Sequence, residues 1–411
     1  MARTQPLAAR AAARRRIPGP RRTDRFKQRR ERSTRMIALS LDPIDVLMPR
    51  GNRLFGGGVH GEAQMPPWPS VFAGALASRA LADAGRVGEI TRAPDRAEAI
   101  LAEVAGEDFG LTGLALGRDD ELLFPLPADL VALEGPALAA LSPRNLARGF
   151  SGVATSGELA ALALLRAPGR EKALSGQWIT AAGLVEHLAG RTPDAACLVS
   201  SRCLWDTDRR LGIALDAGSG TAAESQIYTT EAVVLRQGAR FVAEFSGSRL
   251  PIGGLVRLGG DGRGARIEPA SPRFADALAG LGHPRSGCKG FRMILATPGL
   301  FPNGWLPPGV GPATRRFEFD GLAAELVAAS VPRHEVISGW DLANHAPKPA
   351  RKVAPTGSCY WFRVLEGDSA ALASLREQGF WPLMENNPEN TARRREGFNR
   401  VWFGTWQPEE V

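Results

Sequence analysis

The chain has 411 residues, 44% hydrophobic and 23% charged, the balance of a globular protein large enough for two domains and a core without covalent staples. Its formal charge of +8 belongs to one end: residues 1–35 carry 13 Lys and Arg against Asp24 and Glu31, which leaves residues 36–411 at −3. That excludes bulk charge attraction as the way the body would hold nucleic acid and leaves local patches only. No run of about 18 apolar residues is present, so a membrane-spanning helix is excluded, and no secretory apolar region opens the chain. The cysteines Cys197, Cys203, Cys288 and Cys359 are scattered, with no C-x-x-C pair. No metal and no cofactor is expected, and isolated thiols suit a reducing cytoplasm.

In chain order, residues 1–35 are Arg-rich and broken by Pro18-Gly19-Pro20, so they are expected to be disordered. Three readings of this tail stand: an upstream extension of a chain that starts at Met36, a basic arm for RNA, or a transit peptide. A strand follows over 36–48. A Gly-rich loop then runs from Pro49 to Gly61, and a proline-led helix spans about 69–84, stopping at Gly85. A short helix is expected near 95–105, and 111–116 with 121–124 read as a hairpin. Residues 142–195 lean helical without a clear parse. Beyond them, 211–215 is a short strand, and 230–236 with 239–245 read as a hairpin across Gln237-Gly238. Residues 253–258 lead into a second Gly-rich loop, Gly259–Gly264. Strands follow at 290–297, 357–365 and 399–406, with helices at 322–329 and 368–378. This loose order predicts an α+β fold of ferredoxin-like units, helices covering an antiparallel sheet. The domains are placed at 1–35 (tail), 36–210 and 211–411.

Several chemical signatures fail on spacing. Gly56-x-Gly58-x-x-Gly61 matches a dinucleotide fingerprint, but the next helix starts about eight residues later, behind Pro66, Pro67 and Pro69, so no pyrophosphate would meet a helix N-terminus. Gly259–Gly264 lacks the Lys-Ser/Thr of a phosphate-binding loop. His60 has two readings, a general base or a loop histidine bonded to backbone or RNA. The stretch Ser338–Ser358 places Trp340, Lys348, Arg351 and Lys352 in a Pro-rich segment. Such a loop tracks phosphates with its cations and stacks a base on its aromatic, or else it is a solvated surface loop.

Read in order, Leu41–Leu47, Arg50–Gly56, Pro69–Leu76, Gly212–Asp216 with Ala223, Glu224 and Tyr228, Leu258–Arg263, Thr297-Pro298, Gly304–Pro307, Ser338–Ser358, Gly397 and Gly404–Trp406 resemble a RAMP-superfamily CRISPR subunit. The similar family is the type III-B (Cmr complex) subunit that holds the 5′ tag of the guide RNA (crRNA), and the resemblance spans about residues 36–406. It implies two RAMP modules on ferredoxin-like, RRM-like cores and no catalytic role. It also implies a cytoplasmic location and antiviral defence. The implied partners are crRNA, the large polymerase/cyclase-like subunit and the first backbone subunit, with no membrane.

The RNA-binding residues expected on these combined grounds are Arg50, Gly51, Arg53, Gly57, Gly58, His60, Trp340, Lys348, Arg351, Lys352, Gly397, Asn399 and Arg400. Glycines let backbone N–H groups approach a phosphate closely. One position departs from the family's pattern: Gly397-Phe398-Asn399 stands where a Gly-Phe-Gly loop is usual, and Asn tolerates positive φ better than most residues. Two alternatives stay open, a RAMP endoribonuclease with His60 as base and an enzyme that binds a nucleotide at Gly56–Gly61.

Overall fold

The computed structural model describes residues 36–51, 60–135, 137–145, 159–165, 171–216 and 218–408, with backbone alone for His60 and residues 223–226. The tail, Arg53, Gly57 and Gly58 lie outside the described residues. From the N-terminus come β1 (Met36–Pro43), α1 (Pro69–Asp83), β2 (Gly110–Arg118), β3 (Glu121–Pro125), β4 (Gln177–Thr180), α2 (Ala181–Leu188) and β5 (Leu198–Ser200). Next are β6 (Trp205–Leu215), β7 (Ala222–Leu235), β8 (Ala239–Ser246), β9 (Gly254–Arg257), β10 (Gly264–Pro269) and α3 (Pro272–Gly280). The rest is β11 (Gly290–Leu295), β12 (Arg316–Phe319), β13 (Leu322–Ser330), β14 (Cys359–Glu366), α4 (Ala373–Gln378), α5 (Pro388–Arg395) and β15 (Val401–Thr405).

Two antiparallel sheets organise these elements. The first has the order β9-β10-β1-β8-β2-β3-β4-β5 and the second β12-β13-β14-β11-β15. In the first, β1 and β2 flank β8 and therefore run parallel to each other. In the second, β14 and β15 flank β11 and are joined through α4 and α5. Each is a split β-α-β arrangement.

α1 starts where the sequence signals it, with Pro69 at its first turn. It buries Phe72, Ala75, Leu76 and Ala80 at helical spacing and sets Phe72 edge-on to Phe241, ring centroids 5.0 Å apart. This helix covers one face of the first sheet, over Leu39, Leu41, Leu111 and Phe245. The other face, with Leu122, Phe124, Ile179 and Val242, packs against Ile294, Val327, Trp361 and Trp402 of the second sheet. Side chains along β11 alternate as strand geometry demands: Ile294 joins that shared layer, while Phe291, Met293 and Leu295 enter a third core beyond the second sheet.

Inside the shared layer sits a polar cluster. Asp129 is fully buried and meets His187 Nε2 at 2.8 Å, Arg292 Nη1 at 2.6 Å and Cys359 Sγ at 3.3 Å. The Arg292 guanidinium also donates to the His187 carbonyl. Burial alone would push the Asp129 carboxyl up, but His187 and Arg292 outweigh it and hold it well below the carboxylate range. Burial, reinforced by the Asp129 charge, pushes the Cys359 thiol well up.

Three sequence expectations are corrected. Leu322–Ala329 is strand β13, not a helix. Its Ala, Leu and Glu favour helix by well under about 1 kcal/mol each, and pairing on both edges with β12 and β14 overrides that preference. Residues 230–245 are not a hairpin: β7 pairs with β6, while β8 enters the first sheet between β1 and β2. Phe241, Val242, Ala243 and Phe245 of β8 are all buried, which only a central strand covered on both faces satisfies. Finally, the division at 210/211 cuts through the first sheet, since β8, β9 and β10 belong with β1.

Candidate nucleic-acid interface

The first candidate patch forms where residues 47–51 meet β7 and the Gly259–Gly264 loop. Leu47 bridges Val233 on β7, and the Gly260 N–H donates to the Met48 carbonyl at 3.1 Å. Gly259 has φ +78°, and a Cβ on Gly260 would stand 3.1 Å from that same carbonyl, so small residues permit the approach. Arg50 Nη2 then reaches Asp261 Oδ1 at 2.8 Å, and Arg263 reaches Asp45 at 2.5 Å. Gly51 has open space where a Cβ would stand. His60 pairs through its backbone with Thr229 on β7.

The second patch is the segment 333–353. Glu335–Ile337 pairs antiparallel with Arg351–Val353, and Trp340-Asp341 pairs with Ala346-Pro347. Trp340 is 60% exposed. Lys352 is exposed opposite Val336 and makes no ion pair among the described residues. The other two cations are engaged by α5 and the turn after it. Lys348 Nζ meets Glu396. Arg351 forks onto Glu389 with bonds of 2.9 and 2.7 Å, a bidentate geometry, and this hydrogen bonding holds the Glu389 carboxyl below its ordinary value.

Gly397, Asn399 and Arg400, expected to contact RNA, form a loop that faces inward. Asn399 is fully buried with φ +64°. Its side-chain oxygen accepts from Leu300 N at 2.6 Å. The predicted tolerance for positive φ is thus used, but to tie the chain to the Pro298–Leu300 segment. A Cβ on Gly397 would stand 2.5 Å from Leu111. Arg400 donates to the carbonyls of Leu111 and Glu377, and burial pushes its guanidinium down to about 10. The Arg400 fork is thus spent on backbone carbonyls inside the fold.

Sequence reasoning missed α5 and the acidic partners it brings. The signal was present: Asn387 caps Asn390 N at 2.8 Å and Pro388 occupies the first turn, a start signature readable from Asn387-Pro388 alone. Among the described residues no helix is long and apolar enough to cross a membrane.

Comparison with solved structures finds a chain of a type III-B Cmr-beta complex bound to cognate target RNA and AMPPnP. The match has 14% identity, covers 89% of this chain and 95% of that one, and has a TM-score of 0.50. A second Cmr-beta structure, bound to cognate target RNA, matches at 14% identity over 89% and 96% with a TM-score of 0.49. A Csm3-Csm4 subcomplex of the type III-A complex matches at 10% identity over 82% and 94%, with a TM-score of 0.32. No curated protein matches. A family model described as CRISPR-associated protein (Cas_Cmr3) matches residues 39–406. With the mixed, largely antiparallel fold found here, that match across nearly the whole body places the chain in the Cas_Cmr3 family of CRISPR-associated proteins.

Proposed function

We propose that the chain is a non-catalytic, cytoplasmic RNA-binding subunit of a type III-B CRISPR effector. In this reading it holds the 5′ tag of the crRNA and docks onto the large polymerase/cyclase-like subunit and the first backbone subunit. Family membership over residues 39–406 carries the reading. The geometry supports it at two places. Arg50 beside the Gly259–Asp261 turn, and Trp340 with Lys352 on the segment 333–353, offer cations and a stacking surface on a body without net positive charge. The distal part of the β6–β7 hairpin exposes Leu211, Ile213, Leu215 and Ile227, an apolar strip suited to burial by a neighbouring subunit.

The strand orders also support two ferredoxin-like modules, with β10-β1-β8-β2 as the core of one and β15-β11-β14-β13 as the core of the other. Their junction then lies between β10 and β11, not at 210/211. The test is binding of crRNA with and without its 5′ tag by the purified chain and by the reconstituted complex. Loss of affinity on tag removal is expected. Equal affinity for both RNAs would sink the tag-holding role.

A further inference from the structure

The loop Ser338–Pro349 is fastened at both ends while the side chain it carries stays free. At its neck, Ser338 Oγ donates to the Lys348 carbonyl at 2.6 Å and Lys348 N donates to the Gly339 carbonyl at 2.9 Å. Arg393 of α5, 1% exposed, closes that neck from beneath. Its Nη1 donates to the Ser338 carbonyl at 3.0 Å and to Glu396 at 2.9 Å, and its Nη2 reaches the Pro349 carbonyl at 3.5 Å. The guanidinium lies 5.6 Å from the centroid of the Phe398 ring. At the far end, the Asp341 carboxylate accepts from Ala343 N at 3.0 Å and Asn344 N at 3.1 Å. Ala343 is buried with Leu81, Ile90 and Ile100 of the helical layer over the first sheet. Between these anchors stands Trp340, 60% exposed.

We infer that Arg393 is a positioning residue for RNA: it fixes the loop so that Trp340 presents its ring to a nucleobase as a preset stacking plane. The inference rests on the RNA-binding reading and adds to it the residue that makes the platform rigid. A platform already ordered in the free protein does not lose affinity to ordering when the base arrives. Lys at 393 keeps the charge but lacks the planar fork that spans two carbonyls and a carboxylate at once.

The test titrates a fluorescein-labelled single-stranded RNA matching the 5′ segment of the crRNA against the full chain. The proteins compared are wild type, Trp340→Ala, Arg393→Lys and the double variant, with thermal melting of each. Trp340→Ala is expected to weaken binding by about fivefold or more, the loss of one stacked base. Arg393→Lys is expected to give a comparable loss, and the double variant to bind no worse than the weaker single, because both changes remove one interaction. Glu396→Gln leaves the buried arginine in place but also releases Lys348 Nζ, so it is compared in a Lys348→Ala background, where only the Arg393 contact is lost and a smaller loss is expected; it carries the test if Arg393→Lys melts early. Unchanged affinity in folded Arg393→Lys or in Glu396→Gln on that background, with Trp340→Ala weakened, overturns the positioning role, as do additive losses in the double variant. Unchanged affinity in Trp340→Ala instead overturns stacking at Trp340 itself.

Discussion

Asn399 shows how one side chain is used twice. Its φ of +64° costs most L-residues about 1 kcal/mol or more, and its amide satisfies the buried Leu300 backbone. Asn399→Ala therefore loses both and is expected to destabilise by about 2–4 kcal/mol. Asn399→Gly recovers the backbone freedom and is expected to be milder; urea denaturation of the two variants checks the order. Asp129 is held by His187, Arg292 and Cys359 across the two sheets, so Asp129→Ala strands a buried guanidinium and is expected to cost about 3–5 kcal/mol. Its folded pKa lies below the unfolded value. The stability it contributes is thus present above about pH 4 and is lost as pH falls further. Cys359 has the opposite sign: its folded pKa is raised, so its contribution is present below about pH 8.5 and is lost as pH rises beyond that. Melting temperature across pH for wild type, Asp129→Asn and Cys359→Ala reads both limbs. Among the surface cations, Lys352 has no ion pair among the described residues while Lys348 faces Glu396. Lys352→Ala is expected to lower the salt slope of RNA binding by about 0.7, the single-strand value for one phosphate contact, and Lys348→Ala by less. Equal slopes would show that RNA displaces Glu396.

Elements divide by how much of their environment is local. α1 was legible because its apolar spacing, Pro69 and Gly85 all agree. The β2–β3 hairpin was legible because Asp119-Asp120 turns the chain, with Asp119 at φ +54°. β13 was not, since its residues favour helix and only its two neighbours make it a strand. The β6–β7 hairpin gives an element-scale prediction. Leu211 and Ile213 are exposed, so changing both to Ser is expected to leave the melting temperature of the isolated chain nearly unchanged. Co-purification with the partner subunits is expected to fall, because those side chains lose the surface that would bury them. Full co-purification of the variant would remove the hairpin from the docking surface.

At the scale of the whole molecule, the two sheets share one apolar layer, with Phe124 edge-on to Trp402 at 5.2 Å. A piece ending at residue 210 lacks β8 and β10, the two strands that flank β1. It is expected to be insoluble or molten. A piece spanning 36–285 keeps the first sheet whole and exposes only the shared layer, so it is expected to be the better folded of the two. Near-UV circular dichroism of both pieces decides this, and a well-packed 36–210 would contradict the sheet order.

The sequence by itself determined the charge asymmetry, the absence of a spanning segment, the α+β class, the proline-led helix α1 and the ordered motifs that resemble one CRISPR family. These depend on composition, on local spacing and on residues that act within a few positions of themselves. Only the tertiary structure decided the rest. It sent β8 to the centre of a sheet begun some 200 residues earlier, brought Asp261 to Arg50 and set Glu389 and Glu396 against the loop cations. It also turned Asn399 and Arg400 inward. Each is a contact between residues far apart in the chain, and whether a cation faces solvent, a carboxylate or a carbonyl depends on what the fold places beside it. No pattern within a single segment carries that.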